Sequence, residues 1–310
     1  MKNLRIGSRG SALALWQANW VRDWLTRTHG RQAEIVIIKT SGDRFPQAAI
    51  ARIGLKGVFI KELEDALLEV RIDLAIHSMK DVPTEIPAGL AFPAISRRED
   101  VRDCLIARNR ARVQDLPPGA RVGTSSLRRQ AQLRYFRPDL NLCELRGNVD
   151  TRIKKLERGD YDAIVLAKAG LDRLAWTDKI SEVLSPEVVL PAVGQGALGI
   201  EVRAGDAELR DVLAGLDHVE TRCAITAERA LLAELEGGCQ VPLGAWGRLE
   251  QDVLVLDACV LSADGTEYIR RRVTGSPANP EALGRELART LLDAGADRIL
   301  KLAGRSIGNE

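Results

Sequence analysis

The chain predicts two α/β domains followed by a smaller α+β domain, and three observations carry that expectation. From Leu4 to Asp81, short apolar runs rich in β-branched residues alternate with segments of helical period, the pattern of parallel sheets flanked by helices. The same order starts again at Arg121-Val122-Gly123-Thr124-Ser125. Beyond residue 218 it gives way to one long helix, three strand-like runs and a helical tail. At 310 residues the chain has core enough for two or three domains.

Leu4-Arg5-Ile6 reads as a strand that runs into Gly7-Ser8-Arg9-Gly10-Ser11. A helix follows with Leu13, Trp16, Trp20 and Trp24 at near-helical spacing, tryptophans that suit a core better than a binding surface. Residues 33–39 form a β-branched strand, and 40–57 are polar and glycine-bearing. Ile60, Leu63, Leu67 and Val70 then share a helix face, and the strand 73–76 ends in His77-Ser78-Met79-Lys80-Asp81. Residues 96–103 are charged without apolar period and read as the crossover to the second domain. There, strands at 121–123, 142–145 and 161–166 alternate with helices, one of them at 149–157, and glycine-rich 191–201 reads as the return crossing. A helix over 218–236 leads to strands at 243–249, 253–261 and 267–273, with a hairpin turn at Asp264-Gly265 and helix from Pro280 onward. The expected division is 1–97 with 197–216, then 101–192, then 218–310.

Composition excludes several classes. A net charge of +2 and 4% aromatic residues offer neither the field nor the stacking surface of a nucleic-acid binder. Arginine supplies 35 of the 45 basic residues, so position rather than number must carry any argument about anions. Five cysteines without a Cys-x-x-Cys and three histidines make a disulfide framework or zinc site a poor reading. The sequence has no signal peptide and no run of eighteen apolar residues, so it reads as a cytoplasmic, reduced protein without a membrane partner. No apolar patch demands a partner, and a monomer is expected.

Three constellations could carry chemistry. Lys80-Asp81, beside Ser78, stands at the carboxyl end of a strand, the edge where open parallel sheets bind ligands. Asp81 could move protons or stabilise a developing cation, or serve only as a helix cap or ion pair. Gly123-Thr124-Ser125-Ser126-Leu127-Arg128-Arg129 places hydroxyls, amides and guanidinium groups at a helix start, an arrangement suited to carboxylates. Arg9 with Ser11, Arg146 with Arg152, and Arg173 repeat the theme. Cys239 lies in Gly237-Gly238-Cys239-Gln240-Val241-Pro242, where glycines end a helix and proline bars its resumption. That setting presents a thiol on a tight loop, or merely fills a turn.

These features in one chain resemble the hydroxymethylbilane synthase family, also called porphobilinogen deaminase. The resemblance runs in order through Arg9-Gly10-Ser11-Ala12-Leu13-Ala14, Lys56-Gly57-Val58-Phe59-Ile60-Lys61-Glu62-Leu63-Glu64 and His77-Ser78-Met79-Lys80-Asp81-Val82-Pro83. It continues in Gly123-Thr124-Ser125-Ser126-Leu127-Arg128-Arg129-Gln130, Leu145-Arg146-Gly147-Asn148-Val149, Pro191-Ala192-Val193-Gly194-Gln195-Gly196 and Glu236-Gly237-Gly238-Cys239-Gln240-Val241-Pro242.

The resemblance implies two doubly wound domains of type II periplasmic-binding-protein type with a smaller α+β C-terminal domain. It implies a transferase that joins four porphobilinogen molecules head to tail, releases ammonia at each addition and hydrolyses the product to a linear tetrapyrrole. The implied cofactor is a dipyrromethane held by a thioether at Cys239, and the implied catalytic carboxylate is Asp81. Lys80, Arg9, Ser11, Ser78, Thr124, Ser125, Ser126, Arg128, Arg129, Arg146, Arg152, Arg173 and Gln195 would line the acidic substrate and cofactor. Residues 40–57 would form a lid, with Lys56 and Phe59 near the cofactor. Two positions depart from the family pattern: Leu55 stands where glycine is common, and Lys168 where a small apolar residue is usual. Lys168 would either add another cation to the cleft or face solvent; lysine is mostly exposed, so solvent is the expectation. The competing readings are a non-catalytic two-lobed anion-binding protein and an arginine-rich nucleic-acid binder.

Overall fold

The computed structural model describes residues 3–39, 60–235 and 241–307, without the side chains of 303–307. Through residue 95 the elements are β1 (Leu4–Ser8), α1 (Ala12–His29), β2 (Ala33–Ile37), α2 (Lys61–Leu68), β3 (Leu74–Ser78) and β4 (Leu90–Ile95). Next come β5 (Asp103–Ala107), β6 (Arg121–Gly123), α3 (Leu127–Phe136), β7 (Asn141–Cys143), α4 (Val149–Glu157), β8 (Ala163–Ala167), α5 (Lys168–Arg173) and β9 (Glu182–Val183). The remainder are β10 (Leu198–Arg203), α6 (Ala207–Ala214), α7 (Val219–Glu234), β11 (Leu243–Glu250), β12 (Val253–Leu261), β13 (Tyr268–Gly275), α8 (Pro280–Asp293) and α9 (Ala296–Ile307). They form two compact units, Met1–Glu99 with Ala197–Arg222, and Asp100–Gly196 with Cys223–Glu310.

The first unit holds a sheet of order β2-β1-β3-β10-β4, in which β1 pairs in parallel with β2 and β3 while β10 runs antiparallel to β3 and β4. Strand alternation sorts its side chains to two covered faces. Ile6, Leu74, Ile76 and Ile200 pack with Val21 and Leu25 of α1 and Leu209 of α6. Ala75 and Ile72 pack with Leu63 and Leu67 of α2 on the other face. Trp20 and Trp24 lie against the first cluster, as the helical spacing predicts. Val70 does not share the α2 face: the helix ends at Leu68, and Val70 takes φ 58° with its side chain 51% exposed.

The second unit repeats the plan with order β7-β6-β8-β5-β9, where β6 pairs in parallel with β7 and β8 and β5 is antiparallel to β8 and β9. Leu133 of α3 and Val122, Leu105 and Val165 fill one face, while Ile153 and Leu156 of α4 and Leu171 of α5 meet Ile164 and Leu166 on the other. The same unit carries the antiparallel sheet β11-β12-β13. Leu254 and Leu256 of β12 pack there against Leu231 of α7, Leu287 and Leu291 of α8 and Ile299 of α9. From the opposite face of β12, Cys259 and Leu261 meet Ala131 of α3 and Leu190. The expected α/β class, with two five-stranded mixed sheets covered by helices and a smaller α+β portion, is met.

Two segments differ from the sequence expectation in a way that matters for the site. Glycine-rich 191–201 is a crossing only as far as Ala197, since Leu198–Arg203 is the antiparallel strand β10. Its Gly199 is required because a Cβ there would land on the Met79 sulfur and the Phe92 ring. Asp103 is not part of a charged crossover but the first residue of β5.

A close helix crossing in the second unit generates a stability prediction. A Cβ on Gly284 of α8 would overlap the Ala227 carbonyl oxygen of α7 and stand 2.9 Å from Ala230 Cβ. Alanine is intrinsically the better helix former by about 1 kcal/mol, yet overpacking against backbone costs roughly 1–3 kcal/mol. Gly284→Ala is therefore expected to lower the urea midpoint of unfolding; an unchanged or higher midpoint would show that α7 and α8 separate freely.

Candidate active site

Parallel strands deliver the residues that follow them to one edge of a sheet. In the first unit, the edge where β1 and β3 end receives Arg9 and Ser11 from β1, and Ser78, Lys80 and Asp81 from β3. Ser11 caps α1, its Oγ accepting from the Ala14 amide at 3.3 Å. Ser78 Oγ accepts from Nε2 of buried Gln17 at 3.2 Å. Met79–Asp81 form a single 3₁₀ turn, pinned at its start by the Met79 amide donating to Ala197 O at 3.0 Å. This turn leaves Lys80 half-buried and Asp81 exposed, so the carboxylate is available to a ligand. Just before it, buried His77 Nε2 lies 2.9 Å from Oε2 of fully buried Glu201 on β10.

In the second unit, β6 ends at Gly123 and Thr124-Ser125-Ser126 lead into α3. Ser126 caps that helix with Oγ accepting from the Arg129 amide at 3.4 Å, and Thr124 Oγ1 accepts from the Ser126 amide at 3.3 Å. Ser125 Oγ donates to Leu145 O at 2.6 Å, tying the end of β6 to the segment after β7. Arg146 lies in that segment with Nε donating to Glu144 Oε1 at 2.6 Å, and Arg152 Nε donates to Gly147 O at 2.7 Å. Arg173, on the helix after β8, is buried and donates from Nη2 to Gly196 O at 2.7 Å.

Arg128 and Arg129 are both buried, and they converge on a residue the sequence reading left in the crossover. Asp103 is fully buried; its Oδ2 accepts from Arg128 Nη1 at 2.8 Å and its Oδ1 from Arg129 Nη2 at 2.7 Å. Gln195 Nε2 donates to the same Oδ1 at 2.9 Å and to Val101 O at 2.7 Å. Burial works to raise the Asp103 carboxyl, but the charges of Arg128 and Arg129 and the hydrogen bonds from both outweigh it. The carboxyl is held well below the ordinary carboxylate range and is an anion at neutral pH. Glu228 of α7, equally buried, accepts from the amides of Gly194 at 2.7 Å and Gly247 at 2.7 Å, which fixes the segment carrying Gln195.

The structure therefore gathers Thr124, Ser125, Ser126, Arg128, Arg129, Arg146, Arg173 and Gln195 around one sheet edge, and Arg9, Ser11, Ser78, Lys80 and Asp81 around another. Lys56, Phe59, Leu55 and Cys239 lie outside the described residues. Lys168 departs from expectation: it is 21% exposed, with Nζ 2.6 Å from Asp172 Oδ2 and 3.7 Å from Asp100 Oδ2. Two carboxylates draw it in from solvent. Among the described residues no group of three or more His, Cys, Asp or Glu side chains could hold a metal ion.

Comparison with known proteins gives these residues a setting. The family model for the porphobilinogen deaminase dipyromethane cofactor binding domain matches residues 4–211, and that for the porphobilinogen deaminase C-terminal domain matches 222–293. The chain belongs to the porphobilinogen deaminase family. A porphobilinogen deaminase of Geobacter metallireducens is 51% identical over 96% of this chain and 94% of its own length. One from Desulforudis audaxviator is 53% identical over 95% and 96%, and one from Moorella thermoacetica 52% over 97% and 96%.

The donor set fits the dipyrromethane that the family model names. Two guanidinium groups share one carboxylate at Asp103, leaving one net positive charge, and Arg129 Nε is buried without a hydrogen-bond partner among the described residues. Such a site favours a ligand bearing carboxylates.

The deaminase fold also sorts its thiols. Cys104 on β5 and Cys259 on β12 are buried, and burial pushes both up to about 12. A thiol at that value is protonated near neutral pH and a poor nucleophile. Alkylation of the native protein with iodoacetamide at pH 8, followed by peptide mass analysis, should leave Cys104 and Cys259 unmodified until denaturant is added. Labelling of either before unfolding would show that the strand cores open.

Proposed function

We propose that the chain joins four porphobilinogen molecules into the linear tetrapyrrole hydroxymethylbilane, as a transferase serving porphyrin and heme biosynthesis. The observation that carries this reading is the match of both deaminase family models along almost the whole chain. The carboxylate-binding edges described above agree with it. A non-catalytic anion-binding protein is not favoured, since the full-length relatives are named as deaminases. Among the described residues no helix is long and apolar enough to cross a membrane. We take the protein to act as a cytoplasmic monomer, in three domains: 1–97 with 197–216, 101–192, and 218–310.

In this reading Cys239 anchors the cofactor as a thioether. When bound, the dipyrromethane supplies the free pyrrole α-carbon to which the first substrate is joined. Arg9, Ser11, Ser78, Lys80, Thr124, Ser125, Ser126, Arg128, Arg129, Arg146, Arg152, Arg173 and Gln195 receive acetate and propionate groups, with Lys56 and Phe59 beside them. Forked guanidinium groups suit this role because each can hold a planar carboxylate through two parallel bonds.

Asp81 carries the chemistry at the substrate. The C–N bond of the protonated aminomethyl group of porphobilinogen breaks with its electron pair leaving on nitrogen, which departs as neutral ammonia. The methylene-pyrrole cation left behind is stabilised by the adjacent carboxylate, which also holds the pyrrole N–H. A C–C bond then forms between that methylene and the free α-carbon at the end of the bound chain, and the proton on that carbon is lost, with Asp81 placed to accept it. After four additions water would add to the methylene of the first-joined unit as that methylene's bond to the cofactor α-carbon breaks and a proton returns to the carbon, which yields the hydroxymethyl product. The 3₁₀ turn suits the task, because its buried Met79 holds the backbone while Asp81 faces outward.

Two measurements test the assignment. The intact denatured mass of the purified protein should exceed the sequence mass by two deaminated porphobilinogen units, and Cys239→Ser should lack that increment. An increment that survives in Cys239→Ser would move the anchor to another residue. Asp81→Asn should reduce kcat by about 10²–10⁴-fold, the range for a lost acid–base or charge-stabilising group, with cofactor mass retained. A kcat within a few-fold of wild type would remove Asp81 from the chemistry.

A further inference from the structure

Asp103, with three side-chain donors at the second unit's sheet edge, has no role in the reaction described above. Asp103 opens β5, and its register partner Ala167 closes β8. Because β5 runs against β8, Asp103 stands at the edge where β6 and β8 end. Side chains alternate along β5, and Leu105 and Ala107 face the cluster containing Leu133 of α3. Asp103 therefore points to the α3 side, where Arg128 and Arg129 enter from the first turn of the helix.

Each acceptor is engaged. Oδ2 takes Arg128 Nη1, which also donates to Leu190 O at 2.6 Å. Oδ1 takes Arg129 Nη2 and Gln195 Nε2, while Arg129 Nη1 donates to Val165 O at 3.0 Å. Both terminal nitrogens of Arg129 are thus committed to protein, which fixes the guanidinium plane and leaves buried Nε without a partner among the described residues. A buried donor is costly unless something accepts from it. The cluster keeps one net positive charge beside the Thr124-Ser125-Ser126 turn.

We propose that Asp103 is a positioning residue of the deaminase: by binding Arg128, Arg129 and Gln195 at once, it orients Arg129 so that Nε and the surplus charge await a pyrrole carboxylate. This inference rests on the deaminase reading.

The test uses apo-protein and porphobilinogen, followed by intact mass. Asp103→Asn keeps the shape and removes the charge, whereas Asp103→Glu keeps the charge and displaces it by one methylene. At temperatures well below each variant's unfolding transition, both should acquire the covalent mass increment at least about tenfold more slowly than wild type, the size of effect that outer partners have in other ligand-orienting networks. Asp103→Glu should also raise KM for porphobilinogen more than it lowers kcat, since carboxylate binding is common to ground and transition states. Mass uptake and KM within twofold of wild type in a folded variant would overturn the proposal, even with a lowered unfolding temperature.

If neither variant folds, the decision falls to ¹⁵N-labelled wild type, with the Arg129 Nε–H resonance assigned by its absence in Arg129→Lys. That resonance should shift when the apo-protein is loaded; an identical position in apo and loaded protein would overturn the proposal. Wild-type apo-protein that gains no mass from porphobilinogen would instead sink the deaminase reading. Wild type that loads alongside equally competent Asp103 variants would sink only this inference.

Discussion

A buried carboxylate must find donors, and Asp103 finds three in side chains that are distant in sequence. Arg128 and Arg129 come from α3 and Gln195 from the segment after Leu190. The same interaction joins strand β5, helix α3 and the 191–196 crossing into one body. Glu228 extends it, because its carboxylate holds Gly194 on one side and Gly247 of β11 on the other. Buried ion pairs contribute little net stability once desolvation is counted, while losing one partner costs about 3–5 kcal/mol. The cluster therefore acts more as a geometric constraint than as a source of stability.

A second constraint is direction. In both five-stranded sheets the parallel strands leave their chain ends at a common edge, and one antiparallel strand enters at that edge. Residues far apart in sequence are then neighbours without any special local feature. Lys80-Asp81 and Arg9-Gly10-Ser11 share an edge because β1 and β3 are adjacent and parallel. Thr124, Arg146 and Lys168 share another because β6 lies between β7 and β8.

Much of this was legible in the chain. Thr124-Ser125-Ser126 before α3 and Ser11 before α1 are capping residues whose chemistry is local, so their places could be read directly. The Asp264-Gly265 turn was equally plain, with Gly265 at φ 76°. The turn between β11 and β12 was not, because Gln251 and Asp252 both take positive φ, 48° and 64°, without the glycine that usually announces such a turn. Strand β10 was hidden by Gly199, which reads as a loop residue but is there to let Met79 and Phe92 approach. Lys168 looked like a surface lysine because Asp172, four residues on, and Asp100, distant in sequence, join it only in the fold.

By itself the sequence determined the α/β class, the family, and the residue types offered to an acidic substrate, since periodicity, caps and motif order are properties of neighbouring residues. Only the tertiary structure decided that Asp103 is a buried hub rather than part of a polar crossover. It also decided that Arg128 and Arg129 both turn onto Asp103, and that Glu201 backs His77 and Glu228 holds Gly194. The physical reason is the same in each case. A lone carboxylate carries no mark in sequence of what will neutralise it, and whether it is solvated or buried depends on which distant strand or helix the fold brings beside it.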